Sequence, residues 1–404
     1  MRILLVLGRY LPEKKGGIEN YCNSLANTLM QNGHTVDVAI VESKNIEPYN
    51  YESVNVFPLL NGIEGFIQLV KQQYYDICHF QEYSGKNGIH IEWFQIAKKC
   101  CRKVLFTFHL PYFTCYKMDF RFFGVEDCNN FTSLDRCAKC IIATKLHYRK
   151  ADGFNLINYG INSIIPFIEK TNKVRLLKTN IKNNTNHLQE VLSYCDHIFV
   201  IADWFKKLLE YNGFSSSKIS YIPSVIHQLR NDSRSDRQFN MKLVFIGRIE
   251  PQKGLHVLCK AMKSMSDAKI ELDVFGNVED EEYLKKCQKE FKFNFKGAIL
   301  RKDLLSKLND YDFLMLPSVC TEMHPLVLQE AMGSNLPVIA SAAKGNLEFV
   351  KEGKNGFIFN YDDYKDLASV IDKAYSLKKD GWQPEFEMND SHESDLKEIL
   401  SYYS

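Results

Sequence analysis

The strongest constraint on the fold is a pattern of short apolar runs that alternate with amphipathic stretches, and it occurs twice along the chain. Such a pattern predicts a parallel sheet flanked by helices in each half. The strand candidates of the first half are Ile3–Leu7, Thr35–Ile40, Asp76–Phe80, Val104–His109 and His197–Ile201. Those of the second half are Leu243–Ile246, Ile270–Phe275, Phe293–Phe295, Phe313–Leu316, Val338–Ala340 and Gly356–Phe359. The sequence therefore predicts an α/β protein with two Rossmann-like, doubly wound domains facing each other across a cleft.

The domain boundary is predicted at a polar stretch between the two halves. Residues 228–240 contain few apolar side chains and are interpreted as a linker between domains at 1–227 and 241–385. A chain of 404 residues is long enough for two domains of ordinary size. Because ligands of open α/β sheets bind beyond the carboxyl ends of the strands, the chemistry is expected in the loops that follow the strands.

Composition excludes several classes of protein. The 51 Lys and Arg residues nearly balance the 49 Asp and Glu residues, which argues against a dedicated nucleic-acid binder. No apolar run approaches the roughly 18 residues needed to cross a bilayer. The apolar run at Ile3–Leu7 is too short for the core of a signal peptide and suits a buried first strand. We therefore expect a cytoplasmic protein.

Two glycine-containing loops follow strand candidates and precede helices. Gly16 and Gly17 allow a ligand to approach the backbone, and the N–H groups of a helix start attract phosphate. Arg248 and Lys253 follow the first strand of the second half, where two cations suit a diphosphate. Neither loop has the spacing of a dinucleotide fingerprint or of a P-loop. A flexible turn and solvated surface charges are the structural alternatives.

A third segment carries two glutamates eight residues apart. Pro325 marks a helix start, so Glu322 is predicted in the preceding loop and Glu330 inside the helix. Glu330 lies among apolar residues, and a partly buried carboxylate needs hydrogen-bond donors. The vicinal diol of a ribose would supply two donors. An amphipathic helix with an ordinary capping carboxylate is the alternative interpretation.

Together these segments resemble retaining glycosyltransferases of family 4, which have the GT-B fold (glycosyl transferases group 1). The similarity spans Met1 to about residue 370 and is more specific in the second half. The matching motifs are Gly16-Gly17, Gly247-Arg248, Lys253-Gly254, Glu322-x7-Glu330, Pro337–Ser341, Glu348–Val350 and Gly353…Gly356-Phe357. Two positions depart from the pattern, because Asn335 and Asn346 stand where glycine is common. Asn tolerates left-handed backbone angles, so both turns are expected to survive.

The resemblance implies a role for each matching residue. Arg248 and Lys253 would hold the donor diphosphate and stabilise it as it leaves, and Glu330 would bind the ribose. Glu322 would lie close to the transferred sugar, and His109 near the reacting sugar or the acceptor. The main-chain N–H groups near Leu326 and Val327 would add to the phosphate site, and Gly17 would contact it from the other domain.

The same resemblance implies the reaction. A sugar would pass, with retention of configuration and without a catalytic metal, from a UDP- or GDP-sugar to a hydroxyl of a glycan or lipid-linked glycan. The first domain would face the acceptor, and residues 386–404 would form a helix that returns to it. Assembly of a bacterial cell-surface polysaccharide is the expected setting. A catalytically inactive nucleotide-sugar-binding protein and a GT-B nucleotide-sugar epimerase are the alternatives. A GT-A metal site is disfavoured because Asp310-Tyr311-Asp312 precedes a strand instead of following one.

Four of the twelve cysteines cluster in a loop-like insertion at residues 111–142. Their spacing is C-x12-C-x8-C-x2-C, and four thiolates can hold a structural zinc or an iron–sulfur cluster. The cysteines are Cys115, Cys128, Cys137 and Cys140. A similar insertion occurs in a subset of the family that the chain resembles. Four reduced thiols, or a disulfide formed on oxidation, are the alternative.

Residues 141–190 carry eight Lys or Arg against three Asp or Glu, interleaved with apolar residues. A basic face with apolar neighbours suits an anionic membrane surface. A solvated helix face is the competing interpretation. Membrane contact would fit a lipid-linked acceptor, at the inner face of the plasma membrane.

Overall fold

A computed structural model of the chain describes thirteen segments, which form two compact units. The described residues are 1–14, 16–43, 47–83, 88–111, 114–117, 119–122, 126–128, 132–147, 172–222, 241–265, 270–299, 301–386 and 397–403. The first unit comprises Met1–Val225 and Asp390–Ser404, and the second comprises Ile226–Asn389. The predicted linker at 228–240 lies outside the described residues.

The first unit is built on a largely parallel sheet of eight strands in the order β10-β9-β6-β5-β1-β2-β4-β3. Among the described strands of this sheet, β3 alone runs antiparallel to its neighbour. The strands are β1 (Arg2–Leu7), β2 (Thr35–Ile40), β3 (Tyr49–Tyr51), β4 (Val54–Pro58), β5 (Ile77–Phe80), β6 (Lys103–Phe108), β9 (His197–Val200) and β10 (Ile219–Tyr221), and a separate hairpin contains β7 (Arg121–Phe122) and β8 (Glu126–Asp127). β1, β5 and β6 are almost wholly buried, as strands covered on both faces should be.

In the described part of the first unit, six α-helices lie between these strands. They are α1 (Gly17–Gln31), α2 (Ile63–Gln73), α3 (Ile91–Cys100), α4 (Leu134–His147), α5 (Asn172–Tyr194) and α6 (Asp203–Tyr211). α1 is the next element after β1, and it packs apolar residues at helical spacing, such as Cys22, Leu25 and Leu29, into the core. The loop between β1 and α1 is therefore held at the carboxyl end of the central strand.

The last described residues pack onto polar side chains of this sheet. Tyr403 is fully buried, and its hydroxyl is hydrogen-bonded to Nδ1 of His79. Tyr402 stacks on the His197 ring with centroids 4.0 Å apart and shares a hydrogen bond of 2.9 Å with Ser220. Polar residues inside a parallel sheet are costly unless they are hydrogen-bonded. Residues 397–403 supply these bonds and so complete the first unit.

The second unit contains a parallel sheet of six strands in the order β13-β12-β11-β14-β15-β16. These strands are β11 (Met241–Ile246), β12 (Ile270–Phe275), β13 (Asn294–Gly297), β14 (Phe313–Leu316), β15 (Val338–Ser341) and β16 (Gly356–Phe359). The helices are α7 (Leu255–Ser264), α8 (Glu281–Glu290), α9 (Arg301–Leu308), α10 (Leu326–Gly333), α11 (Lys344–Leu347) and α12 (Tyr364–Lys379). Apolar clusters cover both faces of the sheet.

The predicted pair of Rossmann-like sheets is confirmed, and all eleven strand candidates match observed strands within two residues at each end. Two predicted details are incomplete. The sequence interpretation missed the edge strands β3 and β10, the neighbouring β4 and the short hairpin strands β7 and β8. His109 does not end a strand, because β6 stops at Phe108. Among the residues that the structure describes, no helix is long and apolar enough to span a membrane.

Candidate active site

The loop after β11 forms a tight turn that leads into α7. A single 3-10 turn at Pro251–Lys253 is followed by Gly254, whose φ of +74° is left-handed. A Cβ atom built on Gly254 would lie 1.7 Å from the carbonyl oxygen of Pro317. The N–H of Val319 also donates to the carbonyl of Gln252 over 3.0 Å. Glycine is therefore required here, and this close approach joins the loop after β11 to the loop after β14.

Lys253 and Glu322 meet where these two loops join. Lys253 Nζ donates to Glu322 Oε1 over 2.7 Å, and Ser318 Oγ donates to the same oxygen over 2.5 Å. The side chains of Lys253 and Glu322 are 25% and 14% exposed, so the pair can be reached from solvent. Arg248 is more exposed and pairs with Glu250 over 2.8 Å.

The charges of this group shift its pKa values. Burial alone would raise the pKa of Glu322, but the Lys253 ammonium, the Ser318 hydroxyl and the Arg248 guanidinium together lower it. Burial alone would lower the pKa of Lys253, but Glu322 raises it. The pair is therefore ionised at neutral pH, and Arg248 adds a second positive charge within electrostatic range.

The helix that carries Glu330 begins beside Glu322. α10 starts at Leu326 after Pro325, and no side chain caps its first turn. The first N–H groups of a helix have no partner inside the helix, so those of Leu326 and Val327 are available to an anion. Glu330 lies one turn further along and is 8% exposed. The two glutamates thus occupy the predicted loop and helix positions.

The two asparagines at expected glycine positions behave differently. Asn335 has a φ of +53°, as expected of an asparagine in a left-handed turn. Asn346 does not adopt a left-handed conformation, because it lies inside α11. It is fully buried, and its Nδ2 donates to the carbonyl of Ser341 over 3.0 Å. The expectation for Asn346 was therefore wrong, because the residue makes a buried hydrogen bond and does not supply turn geometry.

Sequence reasoning also missed two serines behind Glu322. Ser318 contacts Glu322 directly, and Ser341 Oγ donates to the carbonyl of Ser318 over 2.7 Å. Ser318 lies two residues after the end of the buried strand β14, and Ser341 ends the buried strand β15. Their position at the carboxyl edge of the sheet was the available signal.

The first unit holds the other predicted residues. Gly16 precedes α1, and a Cβ on it would lie 2.4 Å from a carboxylate oxygen of Glu19. Further along α1, the Tyr21 ring meets the His109 ring edge-on with centroids 4.7 Å apart. His109 Nε2 is hydrogen-bonded to Gln81 Oε1 over 2.9 Å. The helix that Gly17 begins therefore links the glycine loop to His109 within this unit.

The four clustered cysteines all lie within the described residues. Across the described segments, no three His, Cys, Asp or Glu side chains are grouped closely enough to hold an ion. Cys140 Sγ contacts the carbonyl of Arg121 at 3.6 Å. Burial raises the pKa of Cys137, and the nearby Cys128 and Cys140 raise it further. Zinc or an iron–sulfur cluster at the four cysteines stays a prediction.

Metal analysis tests the prediction of a structural metal directly. If the four thiolates hold a structural metal, the purified protein should contain stoichiometric zinc or iron. A chelator should then lower its melting temperature, whereas a metal-free protein would be unaffected. Stoichiometric metal, lost together with thermal stability on chelation, would support the prediction made from the cysteine spacing.

The Asp310-Tyr311-Asp312 triplet has structural contacts at the opposite end of β14. Asp312 accepts a hydrogen bond of 2.7 Å from the N–H of Lys242 and pairs with Lys378 over 2.7 Å. The Tyr311 hydroxyl donates to Asp273 over 2.8 Å. These contacts lie at the amino ends of the strands, away from the loops that carry Lys253 and Glu322.

Two Rossmann-like units, one of which brings Lys253 and Glu322 together at its strand ends, are the architecture of a GT-B fold. Residues 230–384 match the family model described as "Glycosyl transferases group 1". A solved structure from Anabaena, Alr3699/HepE in complex with UDP and glucose, covers 100% of this chain and 99% of its own, with a TM-score of 0.61 and 13% identity. The second unit therefore carries a group 1 glycosyltransferase domain, and the chain has the GT-B fold.

Two curated relatives support the same class. An uncharacterized glycosyltransferase of Methanocaldococcus jannaschii is 24% identical over 401 residues, which cover 93% of this chain and 89% of the relative. The capsular polysaccharide biosynthesis glycosyltransferase CapM of Staphylococcus aureus is 28% identical over 152 residues. That second match covers 36% of this chain and 38% of the relative.

Proposed function

We propose that the protein is a retaining glycosyltransferase that moves a hexose from a nucleotide-diphosphate sugar to a hydroxyl of a glycan. The observation that carries the proposal is the ionised Lys253–Glu322 pair beside the uncapped start of α10. Arg248 adds a second cation. Fixed positive charge next to open N–H groups suits a diphosphate that becomes more negative as it leaves.

Each group has a distinct role in this proposal. Lys253 and Arg248 hold the diphosphate and stabilise its charge as the bond to the sugar breaks. Glu322 fixes Lys253 through Oε1, and its carboxylate lies next to the transferred sugar. Because the departing phosphate can accept the proton of the acceptor hydroxyl, no protein nucleophile is needed. Attack on the face that the diphosphate leaves then retains the anomeric configuration.

Glu330 is proposed to bind the ribose of the donor. Helix geometry places residue 330 on the same face as residues 326 and 327, about 6 Å further along the axis. A nucleotide whose diphosphate contacts the start of α10 would therefore bring its ribose toward Glu330. A largely buried carboxylate gains most from accepting two hydroxyl hydrogen bonds at once.

His109 and the glycine loop of the first unit are proposed to serve the reacting sugar and the acceptor. The Gln81 contact fixes the His109 ring, and Tyr21 packs against it. Gly16 and Gly17 are proposed to contact the donor from this unit, where the buried Glu19 carboxylate lies against Gly16. CapM is described by its role in capsular polysaccharide biosynthesis, which supports a cell-surface glycan as the product.

Membrane contact of residues 141–190 remains part of the proposal for a lipid-linked acceptor. Residues 148–171 lie outside the described segments. On α5, Lys178 pairs with Asp135, which reduces the charge available to lipid, while Leu176 is 62% exposed. Vesicle sedimentation with anionic and neutral lipids would test the contact at the inner face of the plasma membrane.

The inactive-binder alternative and the epimerase alternative predict different products. An inactive protein would bind a nucleotide sugar without cleaving it, and an epimerase would release nucleotide without any acceptor. The first alternative is disfavoured because the four charged residues of the family motif are all present, namely Arg248, Lys253, Glu322 and Glu330. Stimulation of nucleotide release by an acceptor glycan would distinguish the transferase from the epimerase.

The deciding experiment combines thermal shift with slow donor hydrolysis. The purified protein is tested against UDP-, GDP-, ADP- and CMP-linked sugars. We expect one nucleotide to stabilise the fold and one of its sugars to be cleaved slowly in the absence of acceptor. A folded sample that shows neither effect with any of these donors would contradict the proposed function.

Replacement of Glu330 by alanine should weaken nucleotide binding by roughly 10- to 100-fold, because two hydrogen bonds to a charged group are lost. Isothermal titration with the stabilising nucleotide measures the change. Glu290→Ala is the matched control, because Glu290 is a partly exposed glutamate of α8 that pairs with Lys263. Equal affinities for the two variants would refute the ribose assignment.

A further inference from the structure

The Glu322 carboxylate uses its two oxygens differently. Oε1 accepts hydrogen bonds from both Lys253 Nζ and Ser318 Oγ, at 2.7 and 2.5 Å. Within the described segments, Oε2 accepts none. The first oxygen is therefore fixed by the protein, and the second is left for reactants. Two donors on one oxygen also fix the torsion of the carboxylate, provided that Ser318 is itself held in place.

Ser318 is held by a buried series of hydrogen bonds. Ser341 Oγ donates to the carbonyl of Ser318 over 2.7 Å, and Asn346 Nδ2 donates to the carbonyl of Ser341 over 3.0 Å. The same amide lies 3.4 Å from Ser341 Oγ, which leaves that hydroxyl hydrogen free to point at Ser318. Ser341 and Asn346 are fully buried, and Ser318 is 3% exposed, so solvent cannot replace these bonds.

The residue before Asn346 holds the backbone of Glu322. The N–H of Gly345 donates to the carbonyl of Glu322 over 3.1 Å. A Cβ built on Gly345 would lie 2.5 Å from that carbonyl oxygen. The Gly345-Asn346 dipeptide thus contacts Glu322 by two routes, directly through the main chain and through the two serines to the side chain.

We infer that Asn346 is a positioning residue for Glu322, acting through Ser341 and Ser318. This inference deepens the proposed function and rests on it, because it assigns a support to a donor-site carboxylate. An asparagine at this position provides a side-chain amide that glycine lacks. Without the amide, the Ser341 carbonyl keeps the N–H of Ala343 at 2.7 Å but loses the second of its two donors, so the support behind Ser318 is weakened.

The test compares Asn346→Gly and Ser318→Ala with the unmodified enzyme in donor hydrolysis. We expect kcat to fall roughly 10- to 100-fold in both variants, because displacement of a reacting group by a fraction of an ångström has this effect. KM for the nucleotide sugar should stay within about twofold, because the diphosphate contacts are intact. Ser318→Thr retains the hydroxyl and should rescue most of the activity.

The pH profile separates positioning from general loss of stability. A hydrogen bond to the carboxylate lowers the pKa of Glu322, so its removal raises that pKa. The carboxylate is then protonated at a higher pH, so the acid limb of the kcat–pH profile should be displaced to higher pH in both variants. Ser306→Ala is the control, because Ser306 is an exposed serine bonded only to a backbone carbonyl on α9.

A second readout does not need turnover. NMR titration of glutamate side chains labelled with carbon-13 should show a higher pKa for Glu322 in Asn346→Gly and in Ser318→Ala. Folded variants with an unchanged Glu322 titration would overturn the inference. Shifted titration in a protein that cleaves no nucleotide sugar would support the positioning role and refute the proposed function.

Discussion

Replacement of Lys253 by alanine should lower the turnover of the nucleotide-sugar donor by about 100-fold, the usual effect of removing one preorganised charge from a developing anion. The loss should appear mainly in kcat. Lys253 also balances Glu322, so the variant should have a higher Glu322 pKa and an acid limb displaced to higher pH. Steady-state hydrolysis across pH, with an acceptor added once one is known, measures both effects.

Lys263→Ala is the matched control for Lys253→Ala. Lys263 belongs to the helix that follows the Lys253 turn, and it is 61% exposed and pairs with Glu290. Its removal should leave kcat and KM within about twofold, because an exposed ion pair contributes little. Equal rates for Lys253→Ala and Lys263→Ala would contradict the role of Lys253 in stabilising the leaving group.

Replacement of Gly254 by alanine should destabilise the second unit by at least about 3 kcal/mol, because a left-handed residue and a backbone clash are combined. The added Cβ would lie 1.7 Å from the Pro317 carbonyl oxygen. Backbone atoms on both sides have to move, which separates the loops that bring Lys253 to Glu322. Denaturant unfolding measures the stability, and donor hydrolysis measures the damage to the site.

Gly297→Ala isolates the conformational part of this effect. Gly297 has a similar φ of +71°, but nothing lies within 4 Å of a Cβ built on it. This variant should lose only about 1 kcal/mol, the cost of a left-handed alanine. Equal stability of the two variants would contradict the close contact between the Gly254 turn and the Pro317 carbonyl.

The sequence predicted the central strands and the helix that carries Glu330, because the strands are continuous apolar runs and Pro325 marks the start of the helix. Edge strands such as β3 and β10 were not predicted, since three residues are too few to show the alternation of a strand. Glu322 and Lys253 were found through loop position and family resemblance. Their contact could not be predicted, because it depends on two loops separated by about seventy residues in the chain.

The serines and Asn346 behind Glu322 illustrate a second limit. Serine and asparagine are frequent in loops, and their type alone does not indicate whether they face solvent or a buried partner. Only the three-dimensional structure shows that Asn346 and Ser341 share a dry space with the Ser318 carbonyl. The departure from glycine at residue 346 was visible in the sequence, but its hydrogen-bonding role was not.

The burial of Tyr402 and Tyr403 in the first unit has a consequence for biosynthesis. His79 and Ser220 obtain hydrogen-bond partners from residues that leave the ribosome after the whole second unit. During translation, these two side chains of the first unit therefore lack the Tyr402 and Tyr403 hydroxyls as hydrogen-bond partners until the second unit has been synthesised. Completion of the first unit is thus a late, long-range event that follows synthesis of the second unit.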